Sequence, residues 1–330
     1  MSRVHRRQLV IAAAALLAMP LVVRAQPARR LYRIGLLGVY SDNAAVQRVF
    51  GEFREAMAAL GWQEGENYVR VDRWAMGDLQ RLPALASELV SLKPDALMAG
   101  TPESAFALKN ATRTISIVAI GIPDPVEIGL ARSLAHSGEN VTGPTAAFSE
   151  LIGKQLEVLK EAIPRVARIA ALNHTGSPSR GQHIAHALTA AAALRVRLEP
   201  IDVSTPKDFE PAFERIRAGG AEAVLVVPSP FMFVNRAVLA EIALRYRLPT
   251  IWNIPAQAEA GGLMSYGVDV NVLWRRAAVF MDSIFRGASA ADLPFERPSK
   301  FELVLNMKTA KALGMSFPQS LLLRADRVIE

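Results

Sequence analysis

"GIPDPVEIGLARSLAHSGENVTG" (residues 121–143) decides how the chain is organised. The apolar run "ISIVAIG" (115–121) reads as a buried strand, and it stops at Pro123, Asp124 and Pro125. The two prolines remove backbone donors, so the strand cannot continue. Asp124 is left at its carboxyl end, the turn "HSGEN" (136–140) follows, and beyond Gly143 the alternation of elements begins again. In open parallel α/β sheets, ligands sit outside the carboxyl ends of the strands. The broken end therefore reads as a cleft wall, with the turn launching a crossing to a second lobe.

Working outward, the same alternation runs in both directions. Upstream, "YRIGLLGVY" (32–40), "NYVRVDRWA" (67–75) and "DALMAG" (95–100) read as strands. The first helix between them carries Val46, Val49, Phe50, Phe53, Met57 and Leu60 on one face. Downstream, strands at 167–173, 195–203, 221–229 and 248–254 alternate with helices at 150–162, 180–194, 207–218 and 235–247. Strands separated by helices of this length imply βαβ units, and a restart implies two sheets. The fold class is therefore α/β in two lobes, each a parallel sheet flanked by helices, with a ligand cleft between them. A tail remains: a strand near 262–268, a helix at 271–285, "FELVLNM" (301–307) and a last helix. Re-crossing between lobes places these elements. The strand near 262–268 is expected to return to the first lobe, and the segment 294–300, with Pro294 and Pro298, to cross back. The expected division is residues 30–145 with 266–292 in the N-terminal lobe, and 146–265 with 293–330 in the C-terminal lobe.

Ahead of the lobes, "MSRVHRRQLVIAAAALLAMPLVVRAQ" has a basic start, an apolar stretch and small residues at Val23 and Ala25. This pattern predicts a signal peptide over residues 1–25, cleaved near Ala25, and residence in the periplasm. The run is too short to span a membrane. "HRRQLV" leaves the general and the twin-arginine export routes both open. The chain has no cysteine, which excludes a lipid anchor on cysteine, a disulfide framework and thiolate chemistry. With 51% hydrophobic residues it has the means to bury a sizeable core. The net charge of +7 falls when Arg3, Arg6, Arg7 and Arg24 leave: 38 basic residues less these four face 31 acidic ones. That balance is no nucleic-acid footprint.

No nucleophile elbow, phosphate loop or dinucleotide fingerprint is present. His183 and His186 lie three apart on one predicted helix face, with His174 upstream. A metal site wants three or four protein ligands, so the pair reads as a polar helix face and no metal or cofactor is expected. What stands out is a set of polar or special residues at strand ends. Ser41, Asp42 and Asn43 follow the first strand; Gly100, Thr101 and Pro102 follow the third; Asp124 and Pro125 follow the fourth. Thr101 would cap a helix opening at Pro102, whose free N–H groups suit a carboxylate or phosphate. In the second lobe Asn173, Ser229, Phe231, Asn253, Glu259 and Tyr266 take the corresponding places. Asp42, Asp124 or Glu259 would meet a solute ammonium, while Phe231, Phe233 and Trp252 read either as pocket lining or as core.

The blocks "GTPESAFALKNATRTISIVAIGIPDPVEIGLARSLAHSGENVTG", "ELIGKQLEVLKEAIPRVARIAAL" and "EAGGLMSYGVDVNVLWRRAAVFMDSIFRGASAADLPFERPSKFELVLNMKTAKALGM" resemble the solute-binding receptors of ABC transporters, in the family that includes tryptophan-binding proteins. The resemblance implies a two-lobed periplasmic-binding fold of type I that closes on a small solute and delivers it to a membrane permease, without implying which solute. The helix start at Thr101 makes a carboxylate the expected solute, an amino acid or small aromatic acid first, and the alternation of elements predicts a hinge-closing monomer. Two other functions remain open on the residues: a ligand sensor for a membrane receptor, and an enzyme using the same cleft.

Overall fold

Apolar residues on the strands alternate between the two faces of each sheet, and this alternation builds four cores. In the computed structural model, which describes residues 30–39 and 44–330, the first strand is β1 (Tyr32–Gly38). Its Ile34 and Leu36 enter one core, and Leu37 enters the core on the opposite face. The expected signal peptide lies outside the described residues. From Tyr32 to Glu330 the chain forms one compact unit containing two sheets.

The first sheet comprises β1, β2 (Tyr68–Trp74), β3 (Ala96–Ala99), β4 (Ile117–Ala119), β5 (Val141–Pro144) and the short β11 (Phe295–Glu296). Its order is β11-β5-β4-β3-β1-β2, and every pairing is parallel. The second comprises β6 (Arg168–His174), β7 (Arg197–Val203), β8 (Ala223–Val226), β9 (Thr250–Trp252), β10 (Met264–Gly267), β12 (Glu302–Asn306) and β13 (Arg327–Ile329). Its order is β13-β12-β10-β9-β8-β6-β7. The five strands β6 to β10 are parallel, β12 runs antiparallel to β10, and β13 forms the edge parallel to β12. Both sheets thus repeat one winding, in which order reverses at the first strand. The resulting switch points lie between β1 and β3 and between β6 and β8, where the carboxyl ends open a crevice.

Two expectations about chain crossings are corrected. "HSGEN" does not launch the first crossing. It feeds β5, a strand whose Gly143 and Pro144 make it hard to read from composition. Gly143 sits at φ 144° beside β4, where a Cβ would fall 2.1 Å from the Ala119 carbonyl oxygen. The crossing follows Pro144. Nor does the strand near 262–268 return to the first lobe. As β10 it continues the second sheet beyond β9, and Gly267 lies so close to Asn253 that a Cβ would meet its carbonyl oxygen at 1.8 Å. Burial of Met264 and Ser265 against neighbours on both sides favours that position.

The return is made instead by the helix Val270–Phe285, capped by Asp269, whose carboxylate accepts from the Asn271 N–H at 2.9 Å. The helix packs Leu273, Trp274, Ala277 and Met281 into the first-lobe core beside Phe50, Phe53 and Met57 of the helix Ala44–Ala59. Each large side chain buried there contributes about 1.5–3 kcal/mol by leaving water. The chain then adds β11 to β5, with Thr142 Oγ1 donating to the Pro294 carbonyl at 2.7 Å, before returning to the second sheet as β12.

Candidate functional site

A cavity of about 420 Å³ lies where the two switch points face each other, lined from both lobes. On the first lobe, Gly38 and Val39 end β1, and Gly100, Thr101 and Pro102 follow β3. Thr101 is extended at φ −147°, ψ 156° and caps the helix Pro102–Ala111, its Oγ1 accepting from the Ser104 N–H at 3.2 Å. Gly100 leaves room for Trp274, since a Cβ there would sit 3.3 Å from the indole. That indole is 7% exposed and meets Phe50 edge-on at 4.8 Å, fixing the apolar wall.

The second-lobe wall is chemically different. Ser177, Ser179 and His183 line the cavity after β6; Pro228, Ser229 and Pro230 line it after β8; Asn253 and Ile254 line it after β9. Ser229 caps a short helix, Pro230–Val234, by accepting from the Met232 N–H at 3.2 Å. Ser179, His183 and Asn253 are each 1% exposed. Ser179 Oγ, Asn253 Oδ1 and both ring nitrogens of His183 lack a partner in hydrogen-bond geometry. Burial pushes the His183 imidazole down to about 4, the neighbouring His186 adds to this, and a backbone interaction with Pro228 opposes it. The ring is therefore neutral across ordinary pH. Unpartnered buried polar atoms are costly unless something else fills their valence. Their clustering on one cavity wall marks where a solute's polar groups would go.

Arg236 brings the cation. It is half-buried, donates Nη1 to the Phe233 carbonyl at 2.8 Å, and holds its guanidinium 4.5 Å from the Phe233 ring. Burial lowers its pKa, and Arg48 on the first-lobe helix adds to that shift, while Glu259 opposes it.

Of the residues expected at strand ends, Gly100, Thr101, Pro102, Ser229 and Asn253 come together around the cavity. Ser41, Asp42 and Asn43 lie outside the described residues, between Val39 and Val46, which both line it. Asp124 is placed as a turn cap, with Oδ1 accepting from Val126 N at 2.9 Å and Glu127 N at 3.0 Å. Pro123 takes the cavity position instead, and the Pro125 carbonyl accepts from Leu130 and Ala131. Asn173 is buried in β6, donating to the Ile201 carbonyl at 3.1 Å. Phe231 stacks on His174 at 4.3 Å, and Phe233, two residues on, faces the cavity. Glu259 pairs with Arg327 at 2.5 Å, Tyr266 packs against Phe301, and Trp252 is core. Sequence reasoning passed over His183, Ser179 and Arg236. The signal for His183 was its spacing from His186, read as a polar face, whereas the helix buries one and exposes the other. Among the described residues no group of three His, Cys, Asp or Glu gathers as a metal site.

Two α/β lobes around one shared cavity define a solute-binding class of protein. The family model of ABC transporter substrate binding proteins matches residues 34–329, and the chain belongs to that family. It is 28% identical over 276 residues to a tyrosine-binding protein of Clostridioides difficile (strain R20291), covering 83% of this chain and 79% of the relative. Among solved structures it resembles the ABC domain in complex with L-Trp from Streptococcus pneumonia, with a TM-score of 0.84 and 22% identity over 90% of this chain and 99% of that one. It also resembles the ligand-free, open structure of a substrate binding protein with adhesive properties from Clostridium difficile. There the TM-score is 0.68 and the identity 23%, over 90% of this chain and 99% of that one. These likenesses show the two-lobed fold expected from the sequence. Among the described residues, no helix is long and apolar enough to cross a membrane.

Proposed function

We propose that the chain is the extracytoplasmic receptor of an ABC-type importer. It traps a small carboxylate-bearing solute, an amino acid or small aromatic acid, by closure of its lobes about the crossing segments. It works as a monomer, hands the solute to a membrane permease and performs no chemistry on it. The observation that carries this reading is the cavity lined by both lobes at their switch points. Its volume of about 420 Å³ falls in the range of small-molecule sites, whose walls are mostly apolar with a few placed polar groups. The positive end of the Thr101-capped helix and the Arg236 guanidinium both favour an anionic group. Tyrosine and L-Trp, in the names of the similar proteins, fit a solute of this size and class. The basic and apolar leader over residues 1–25 supports export.

Native mass spectrometry of protein purified without refolding tests the reading, through the mass of the retained solute. Small-angle scattering of the stripped protein should then show compaction when that solute returns. An unchanged profile at saturation contradicts closure, and conversion of the solute to a product contradicts a receptor.

A further inference from the structure

The charge on the cavity wall is one-sided. Among the described lining residues there is no carboxylate, and with His183 neutral the one charged side chain is Arg236. Two of the carboxylates that an ammonium would seek are engaged elsewhere. Asp124 holds its turn through two backbone N–H groups, and Glu259 pairs with Arg327. The polar groups left over, Ser179, His183 and Asn253, are neutral and buried. Their surroundings penalise positive charge, since burial there already drives the imidazole to its neutral form. Among the described lining residues an ammonium there would find no counter-charge, the costliest kind of burial for a cation. A carboxylate near Arg236 has the opposite standing. It would add a counter-charge to a half-buried guanidinium that lies over the Phe233 ring, where Glu259 offsets only part of the cost of burial and Arg48 of the facing lobe adds to it.

We infer that the solute is an apolar monocarboxylate without an α-ammonium, an arylalkanoate or branched alkanoate, whose carboxylate meets Arg236 while its hydrocarbon fills the space against Trp274 and Leu273. The inference rests on the receptor reading and narrows it. A neutral hydrogen-bonding substituent on the solute, if present, finds Ser179, His183 and Asn253. Arg236 is then the specificity-determining residue of the second lobe.

The test is calorimetric titration of the mature, solute-stripped protein with pairs that differ only in the ammonium: phenylpropanoate against L-phenylalanine, indolepropanoate against L-tryptophan, and methylpentanoate against L-leucine. The expected result is that the tightest binder is an acid without ammonium, by at least ~10-fold over its amino-acid counterpart. Its primary amide should bind wild type ~10–100-fold more weakly, the scale of one charged hydrogen bond. Arg236→Gln should erase that preference for acid over amide, and Arg236→Lys should keep part of it. The wild-type comparison stands even if a variant fails to fold. Tighter binding of an amino acid than of its deaminated partner overturns the inference. If Asp42→Asn then removes that preference, the ammonium seat is at Asp42 and the receptor reading survives. No binding of any acid or amino acid, in protein that still melts cooperatively, overturns both.

Discussion

The two walls of the cavity are wound in the same strand order, yet they leave different things unfinished. On the first lobe, among the described residues, the cap at Thr101 is satisfied by Ser104, and Val39, Ile120, Leu273 and Trp274 give an apolar surface. On the second lobe, three buried polar groups stand unpartnered beside an arginine. One topology thus serves once as a mould and once as a reader of polar groups. Winding places a crevice; the side chains at strand ends decide what it does.

Breaking the mould should have the largest effect. Trp274→Ala removes a buried indole from the first-lobe core and is expected to cost about 3–5 kcal/mol of stability, read from urea unfolding. It should also weaken solute binding by enlarging the cavity.

The reading wall should show itself next through pH. The His183 pKa is depressed in the fold, from 6.5 to about 4, so the unfolded chain binds more protons between these values. Stability from this group is complete above pH 6.5 and is lost as pH falls toward 4, with a total of roughly 3 kcal/mol. Below that range it changes no further. Unfolding free energy measured across this window should therefore slope less in His183→Leu than in wild type.

The same substitution sharpens the contrast at neutral pH. Removing an unpartnered buried ring should leave stability unchanged or raised, while affinity for a solute that hydrogen-bonds there falls by about 1–3 kcal/mol in titration. A change that lowers both equally would make His183 ordinary core. Smaller still is Asp124→Ala. Loss of its two backbone acceptor contacts should cost about 1 kcal/mol of stability, visible as a lower Tm, with affinity unchanged. Smallest is Glu127→Gln, which removes an exposed partner of His186 at 3.7 Å across the lobes. It should shift stability by about 0–1 kcal/mol.

The sequence made the lobes legible because buried parallel strands are near-continuous apolar runs and the helices between them have periodic faces, as at Phe50, Phe53 and Met57. It hid β5, whose four residues include Gly143 and Pro144, and it hid which sheet β10 joins, since pairing partners are distant in sequence. Within the site, one cap was legible: Thr101-Pro102 announces a helix start and reaches the cavity, whereas Ser229, read only as a strand-end residue, caps the short helix Pro230–Val234. Polar residues inside helices were not. His183 and His186 lie three residues apart on one helix, yet His183 is buried at the cavity while His186 is exposed. Arg236 was silent for the same reason, being one arginine among many in the sequence, whereas in the fold it lies over the Phe233 ring and lines the cavity.

A crystal structure of the protein purified with its solute still bound tests most directly the division between moulding and reading walls. The solute is expected between the lobes, its polar atoms within hydrogen-bond distance of Arg236 and of at least one of Ser179, His183 and Asn253, its apolar part against Trp274. A solute whose polar groups are met only by the first lobe, with the second-lobe groups still unpartnered, would contradict that division.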